Sequence, residues 1–364
     1  MNKQEVMNSL TLEEKVRLLQ AKDDWTLNGV AHLGVPEIVL TDGPSGVRMT
    51  INNMTETLPA TAIPTESILS ASWDTDLLTE LGKMLAEECQ EYGIGILLGP
   101  GVNAKRSPLA GRNFEYFSED PYLSGKLAAA IIEGVQSMGV GTSLKHYVAN
   151  DQETRRFTMN VNVDERTLRE MLLTPFEIAI QEAKPWTIMG AYPKLRGSHL
   201  CENAYALEKV LREEYGYEGV VLSDWCAVIN KVPSHKNGLD LETGSYARAQ
   251  ELLDAVHNGE ITEEELDVHV LRVLELIEKA ENGKRQVEVD WEAHHELARK
   301  AAVESIVLLK NEDQMLPLAE NSKVAVIGYF AKVPRFGGGG SSSTNPQRLD
   351  IPYDCMPCSL ASLP

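Results

Sequence analysis

The chain has 364 residues, 43% of them hydrophobic, with 34 Lys and Arg against 54 Asp and Glu for a formal net charge of −20. Its length exceeds an average domain of roughly 150 residues, so two domains, or one large barrel with an addition, are expected. The acidic balance excludes nucleic acid and anionic membrane as partners, since both attract positive surfaces, and suits a neutral ligand.

The N-terminal stretch MNKQEVMNSLTLEEKVRLL lacks the apolar core of a leader peptide, and no run of 18 apolar residues occurs anywhere. No membrane span is expected. The cysteines, Cys89, Cys201, Cys226, Cys355 and Cys358, are sparse and odd in number. Thiols in a reducing cytoplasm fit this better than a disulfide framework. Cys355 and Cys358 form one CxxC without a second pair or a nearby His, so neither zinc nor redox chemistry is expected there.

From about residue 36 to 280, short apolar runs alternate with helical patterns. The runs are EIVLTD (37–42), IGILLGPGV (94–102), GTSLKHYV (141–148), WTIMGAY (186–192), GVVLSDW (219–225) and GLDLE (238–242). Most are apolar on both parities, as in a parallel sheet covered on both faces. Between them, Asp74 or Thr75 can cap a helix bearing Leu78, Leu81, Leu85 and Cys89 and stopped at Gly93. Leu266, Val270, Leu274 and Ile277 repeat at helical spacing behind ITEEEL. This alternation predicts an α/β fold, a (β/α)8-like, TIM-type barrel over residues 1–285. Residues 286–304 read as a linker entering a helix. Over 305–364, SIVLLKN (305–311) and KVAVIGYFA (323–331) read as two strands of an incomplete α/β sandwich. FGGGGSSSTNP (336–346) is a loop and not a phosphate loop, because no GK[ST] follows. An unpaired apolar strand invites association, so self-association through this second unit is an expectation.

Polar residues sit at the ends of several strands: Asp42, Lys145 with His146, Tyr192, and Asp224 beside Trp225. The C-terminal ends of barrel strands form the functional face. Each taken alone has a plainer reading, Asp42 as a turn residue and Asp224 as a cap. Lys145 and His146 are adjacent, and neighbours on a regular strand face opposite ways. For both to reach one ligand, the backbone there must be irregular. Arg112 and Asn113 lie in the long polar loop GPGVNAKRSPLAGRNFEYFSEDP (99–121), of a length that is usually functional. His146 lacks a second ligand at metal spacing. His294 and His295 do not form HExxH and read as surface histidines.

Taken together, TDGPSGVR (41–48), the 99–121 loop, KHYVANDQETRR (145–156), VDERTLREMLLTPFE (163–177) and GVVLSDW resemble glycoside hydrolase family 3 in its two-domain β-glucosidase branch. LLKNEDQMLPL and RFGGGGSSSTNP extend the resemblance toward residue 350. It implies retaining removal of terminal β-D-glucosyl residues from a β-glucoside or short oligosaccharide, without metal or cofactor. Asp224 would be the nucleophile that forms a covalent glycosyl-enzyme. Asp42, Arg112, Lys145 and His146 would bind sugar hydroxyls, Trp225 would flank the sugar, and Tyr192 would sit near the nucleophile. Nearby cations favour the charged form of a carboxylate, as a nucleophile requires.

The sequence departs from that pattern in several places. Cys226 stands where the family has Gly after SDW and would crowd the pocket floor. Pro193 in GAYPK replaces an Asn. GLDLE is not followed by Met-Pro-Gly. The branch takes its general acid/base, a Glu, from deep in the second domain, and no Glu of residues 1–364 matches it. The one-domain β-N-acetylglucosaminidases of the family use an Asp-His pair after Lys-His, but YVANDQETRR has no second His. A retaining β-glucosidase chain without its acid is therefore the reading. A sugar-binding remnant is its rival, and a lyase or aldolase with Lys145 as Schiff base is a third.

Overall fold

The computed structural model describes residues 2–51, 56–244, 248–319, 322–336 and 339–356. Helices α1 (Lys3–Ser9) and α2 (Leu12–Leu18) come first, α2 opened by a capping box between Thr11 and Glu14. Strand β1 (Thr26–Leu27) runs antiparallel to β2 (Ile38–Asp42). Then β3 (Ile94–Leu98), β4 (Gly141–Tyr147), β5 (Thr187–Gly190) and β6 (Val220–Ser223) add in sequence order, all parallel to β2. Single bridges complete the ring. Leu222 pairs with Leu241, Glu242 with Gln20, and Ala21 with Leu27, which returns the sheet to β1. Six strands and two bridged segments make eight staves. The barrel expected from the sequence is present, with two staves reduced to bridges and one antiparallel. GLDLE, expected as a strand, is one of the bridged segments.

Helices α3 (Thr75–Glu91), α4 (Pro121–Ser137) and α5 (Thr174–Ala183) follow β2, β3 and β4. Asp74 caps α3 by accepting from the backbone N–H of Asp76 and Leu77, and the helix ends before Gly93 at φ +69°. Helices α3 and α4 cross closely: a Cβ on Gly134 would lie 2.3 Å from the carbonyl oxygen of Thr79, so no larger residue fits. Leu97, Leu144, Ile188 and Val221 pack under these helices. The alternate positions Leu40, Ile96, Leu98, Met189 and Leu222 join Leu241 in a second buried cluster with α2, α6 (Ala249–His257) and α7 (Glu263–Gly283). Each fully buried Leu or Ile contributes about 1.5–3 kcal/mol. Burial on both parities is why the strands read as continuous apolar runs.

Helix α8 (Trp291–Glu304) docks on α3. His294 is buried there and not on the surface: its Nδ1 and Nε2 lie 2.9 Å from Glu88 and Glu87. Burial works to lower its pKa, but Glu88 and Glu87 raise it on balance. His295 pairs with Asp350 at 2.9 Å.

Residues 305–311 and 323–331 are not strands, contrary to the reading of their apolar pattern. Ile306 is 75% exposed, and Leu309 and Ile327 are 91% exposed. An extended segment needs a neighbour for its N–H and C=O groups, and the described residues offer these two segments no sheet edge. Residues 340–347 behave differently and strap onto the barrel. Asn345–Pro346 pairs with Pro59–Ala60, and Gln347 N–H donates to the Ala60 carbonyl. The Thr344 hydroxyl donates to the carbonyls of Ser45 and Gly46. Ser342 is buried against Ser45. Cys358, the second cysteine of the CxxC, lies outside the described residues.

Candidate active site at the strand ends

The ends of β2, β4, β5 and β6 and the loop after β3 converge. Asp224 follows β6 and is 5% exposed. Its Oδ1 accepts from Tyr192 Oη at 2.8 Å and from the Trp225 backbone N–H at 2.7 Å. Its Oδ2 accepts a long bond from Arg112 Nη1 at 3.4 Å and lies 3.5 Å from His146 Nε2. One oxygen is thus held by two short bonds and the other by one long one.

The register of β4 shifts between Leu144 and Tyr147, and the Lys145–His146 peptide is cis. Lys145 and His146 both reach the loop that follows β3, as the irregular backbone expected there requires. Lys145 Nζ donates to Glu115 Oε2 at 3.0 Å. Arg112 Nε donates to Glu115 Oε1. Arg112 Nη2 lies 2.6 Å from His146 Nε2. Arginine only donates, so Nε2 accepts, and the neutral ring carries its proton on Nδ1, 2.9 Å from Tyr116 Oη. Burial, then Arg112, Lys145 and Arg156, hold the His146 pKa well below its ordinary value. The approach of His146 to Asp224 is therefore not an ion pair. Asn103 fixes the His146 backbone in both directions, its amide donating to the carbonyl at 2.9 Å and its oxygen accepting from the N–H at 2.8 Å.

Glu115, Tyr116 and Asn103 were not singled out from the sequence, although Arg-x-x-Glu within the 99–121 loop is a visible pairing signal. Burial opposes the charge of Glu115, yet Lys145 and Arg112 bring its pKa to about 2. Asp42 lies apart from these contacts. It pairs with Arg48 Nη1 at 3.0 Å, another partner not foreseen. Burial raises the Asp42 pKa against the pull of Lys145 and Arg48. Asn113 serves the loop, donating to the Ser107 carbonyl at 2.7 Å. Trp225 packs its ring on Trp25, centroids 5.4 Å apart, and its indole N–H has no partner among the described residues. The Arg156 guanidinium lies 4.1 Å from the Tyr192 ring centroid. Cys226 is exposed and does not crowd the floor, but its φ of +65° is the left-handed conformation that glycine adopts most freely. Among the described residues no group of three His, Cys, Asp or Glu is arranged to hold a metal.

Residues 5–276 match the N-terminal domain of glycosyl hydrolase family 3. The chain belongs to this family. Residues 306–361 match the C-terminal domain of the same family. A thermostable beta-glucosidase B of Acetivibrio thermocellus is 48% identical over 357 residues, 96% of this chain and 47% of that protein. An exo-alpha-(1->6)-L-arabinopyranosidase of Bifidobacterium longum is 42% identical, over 96% of this chain and 48% of its own length. Among solved family 3 structures, Thermotoga neapolitana beta-glucosidase 3B in complex with alpha-D-glucose superposes with a TM-score of 0.90 at 40% identity, covering 95% of this chain and 52% of that one. The chain spans about half the length of the curated relatives it matches.

Proposed function

We propose that this chain carries the nucleophile and sugar-binding half of a retaining β-glucosidase. The observation behind this reading is the asymmetry of Asp224, with Oδ1 held by two short bonds and Oδ2 only by a long one from Arg112, beside the neutral His146. In a retaining mechanism, Oδ2 attacks the anomeric carbon, the aglycone departs with the bonding electrons, and water later releases the sugar. Lys145, Arg112 and Asp42 present charged groups for sugar hydroxyls, and such bonds can strengthen in the transition state. A terminal β-glucoside or short oligosaccharide is the proposed substrate, supported by the beta-glucosidases among its relatives.

Glu115 is the carboxyl nearest to this machinery in the chain of contacts, and its two cations keep it ionised. It has no proton to give a departing oxygen. The general acid is therefore proposed to lie outside these residues, and general acid–base help is worth roughly 10²–10⁴-fold. Dinitrophenolate departs without that help, whereas a sugar alkoxide needs it. The chain should release dinitrophenol from its β-glucoside in a burst of at most one equivalent. Azide should then speed turnover, and cellobiose should survive. A 2-fluoro-glucosyl reagent should label Asp224, and Asp224→Asn should abolish labelling. Labelling of another carboxylate refutes the assignment, and steady cellobiose hydrolysis refutes the missing acid. Glucose binding without a burst would favour the sugar-binding remnant.

A further inference from the structure

One layer beneath the sugar site lies a carboxyl that the proposed mechanism does not use. Glu66 opens a short helical turn, Glu66–Leu69, and is 0% exposed. Neither carboxyl oxygen has a hydrogen-bond partner in another residue among the described residues, its own backbone N–H alone lying close. The side chain lines a cavity of about 10 Å³, room for one water, under Gly43, Pro44, Gly99 and Pro100 and beside Thr142. The wall supplied by α3 and α4, through Leu85, Ile131 and Val135, is apolar. The charged groups facing Glu66 are Glu115 and Lys105 from the 99–121 loop and Lys145 from β4.

The charges above it already balance. Asp42, Glu115 and Asp224 are matched by Arg48, Lys145 and Arg112, three against three. Lys105 spends its ammonium on the Ser67 hydroxyl, 2.5 Å away. A fourth carboxylate would be buried without a cation of its own to pair with, at a cost that favours the uncharged acid. Burial accordingly raises the Glu66 pKa well above its ordinary value. If Glu66 ionises, two cations face it, Lys105, which is bonded to Ser67, and Lys145, which pulls on it more strongly and would have to leave Glu115 to answer it.

We propose that Glu66 is a positioning residue of the sugar site that acts through Lys145: uncharged, it leaves Lys145 committed to Glu115, and ionised, it draws the ammonium down and opens the site. Glu66 thereby sets the alkaline limit of sugar binding. The proposal rests on the sugar-site reading above. Its test compares the full chain with Glu66→Gln, and with Glu66→Met as a second uncharged variant should the first not fold. Urea denaturation from pH 4.5 to 9 reads the buried proton, and calorimetric titration with glucose from pH 5 to 10 reads the site. The variant should gain stability over the parent as pH rises and should keep binding glucose at least one pH unit further into alkali. A stability difference that stays flat with pH overturns the proposal. So does a growing difference with coincident alkaline limits of binding. If neither protein binds glucose at any pH while the stability difference still grows, the sugar-site reading itself has failed, and the positioning role fails with it.

Discussion

Replacing Glu115 by Gln tests how the site is held together. Glu115 is fully buried and receives both Lys145 and Arg112. Its carboxyl is held at about 2, against an ordinary 4.5. A depression of that size is worth about 3 kcal/mol, at 1.36 kcal/mol per pH unit. Breaking a buried ion pair by removing one partner costs about 3–5 kcal/mol, which agrees. Because the folded pKa is the lower one, this stability is present above pH 4.5 and is lost as pH falls from 4.5 toward 2. Glu115→Gln should therefore lower the unfolding free energy by about 3 kcal/mol at pH 7, with the deficit shrinking as the pH drops to 3. Urea denaturation followed by tryptophan fluorescence at pH 7, 5, 4 and 3 measures it. Released from Glu115, Arg112 is free to close on Asp224 Oδ2, so labelling of Asp224 should also slow. A deficit that is the same at pH 7 and pH 3 would show that Glu115 is not the electrostatic anchor described.

Cys226→Gly should raise stability by about 1 kcal/mol, read as a rise in melting temperature, because a left-handed backbone costs about 1–2 kcal/mol at a residue with a Cβ. No gain would mean that contacts of the Cys226 side chain offset its backbone. Residues 306–309, Ile-Val-Leu-Leu and all at least 59% exposed, should drive concentration-dependent self-association. Leu309→Asp should weaken it in sedimentation velocity, and a wild-type chain that stays monomeric at high concentration contradicts this.

The strand ends were legible because both faces of the barrel strands are buried, so an Asp or Lys closing an apolar run stood out. Adjacency alone argued against a joint approach of Lys145 and His146, since neighbours on a regular strand face opposite ways; the resemblance put both at the sugar, and an irregular backbone was the condition for it. Glu115 carried one visible signal, its spacing three residues after Arg112, but its second partner, Lys145, lies thirty residues away in sequence and was not legible. His294 read as a surface residue because its two partners, Glu87 and Glu88, sit on another helix. SIVLLKN and KVAVIGYFA misled for a different reason. Apolar pattern reports a capacity for pairing, and pairing needs an edge that the described residues do not provide for them. The two thinnest staves were partly hidden, since single bridges at Gln20 and Leu241 need no periodic run.

The strap at 340–347 makes Ser341 a tethered guest. Its hydroxyl donates to Glu115 Oε2 at 2.9 Å, so a residue from far along the chain touches the carboxylate that holds Lys145 and Arg112. Covalent continuity keeps that guest at an effective concentration of about millimolar order, whatever the protein concentration. A single nick between α8 and Gly339 would turn the strap into a separate peptide held by hydroxyl, amide and backbone bonds and by the pairs of Arg348 with Glu292 and Asp350 with His295. Its occupancy would then follow dilution. Nicked and intact protein would look alike in concentrated solution and part company in dilute assay.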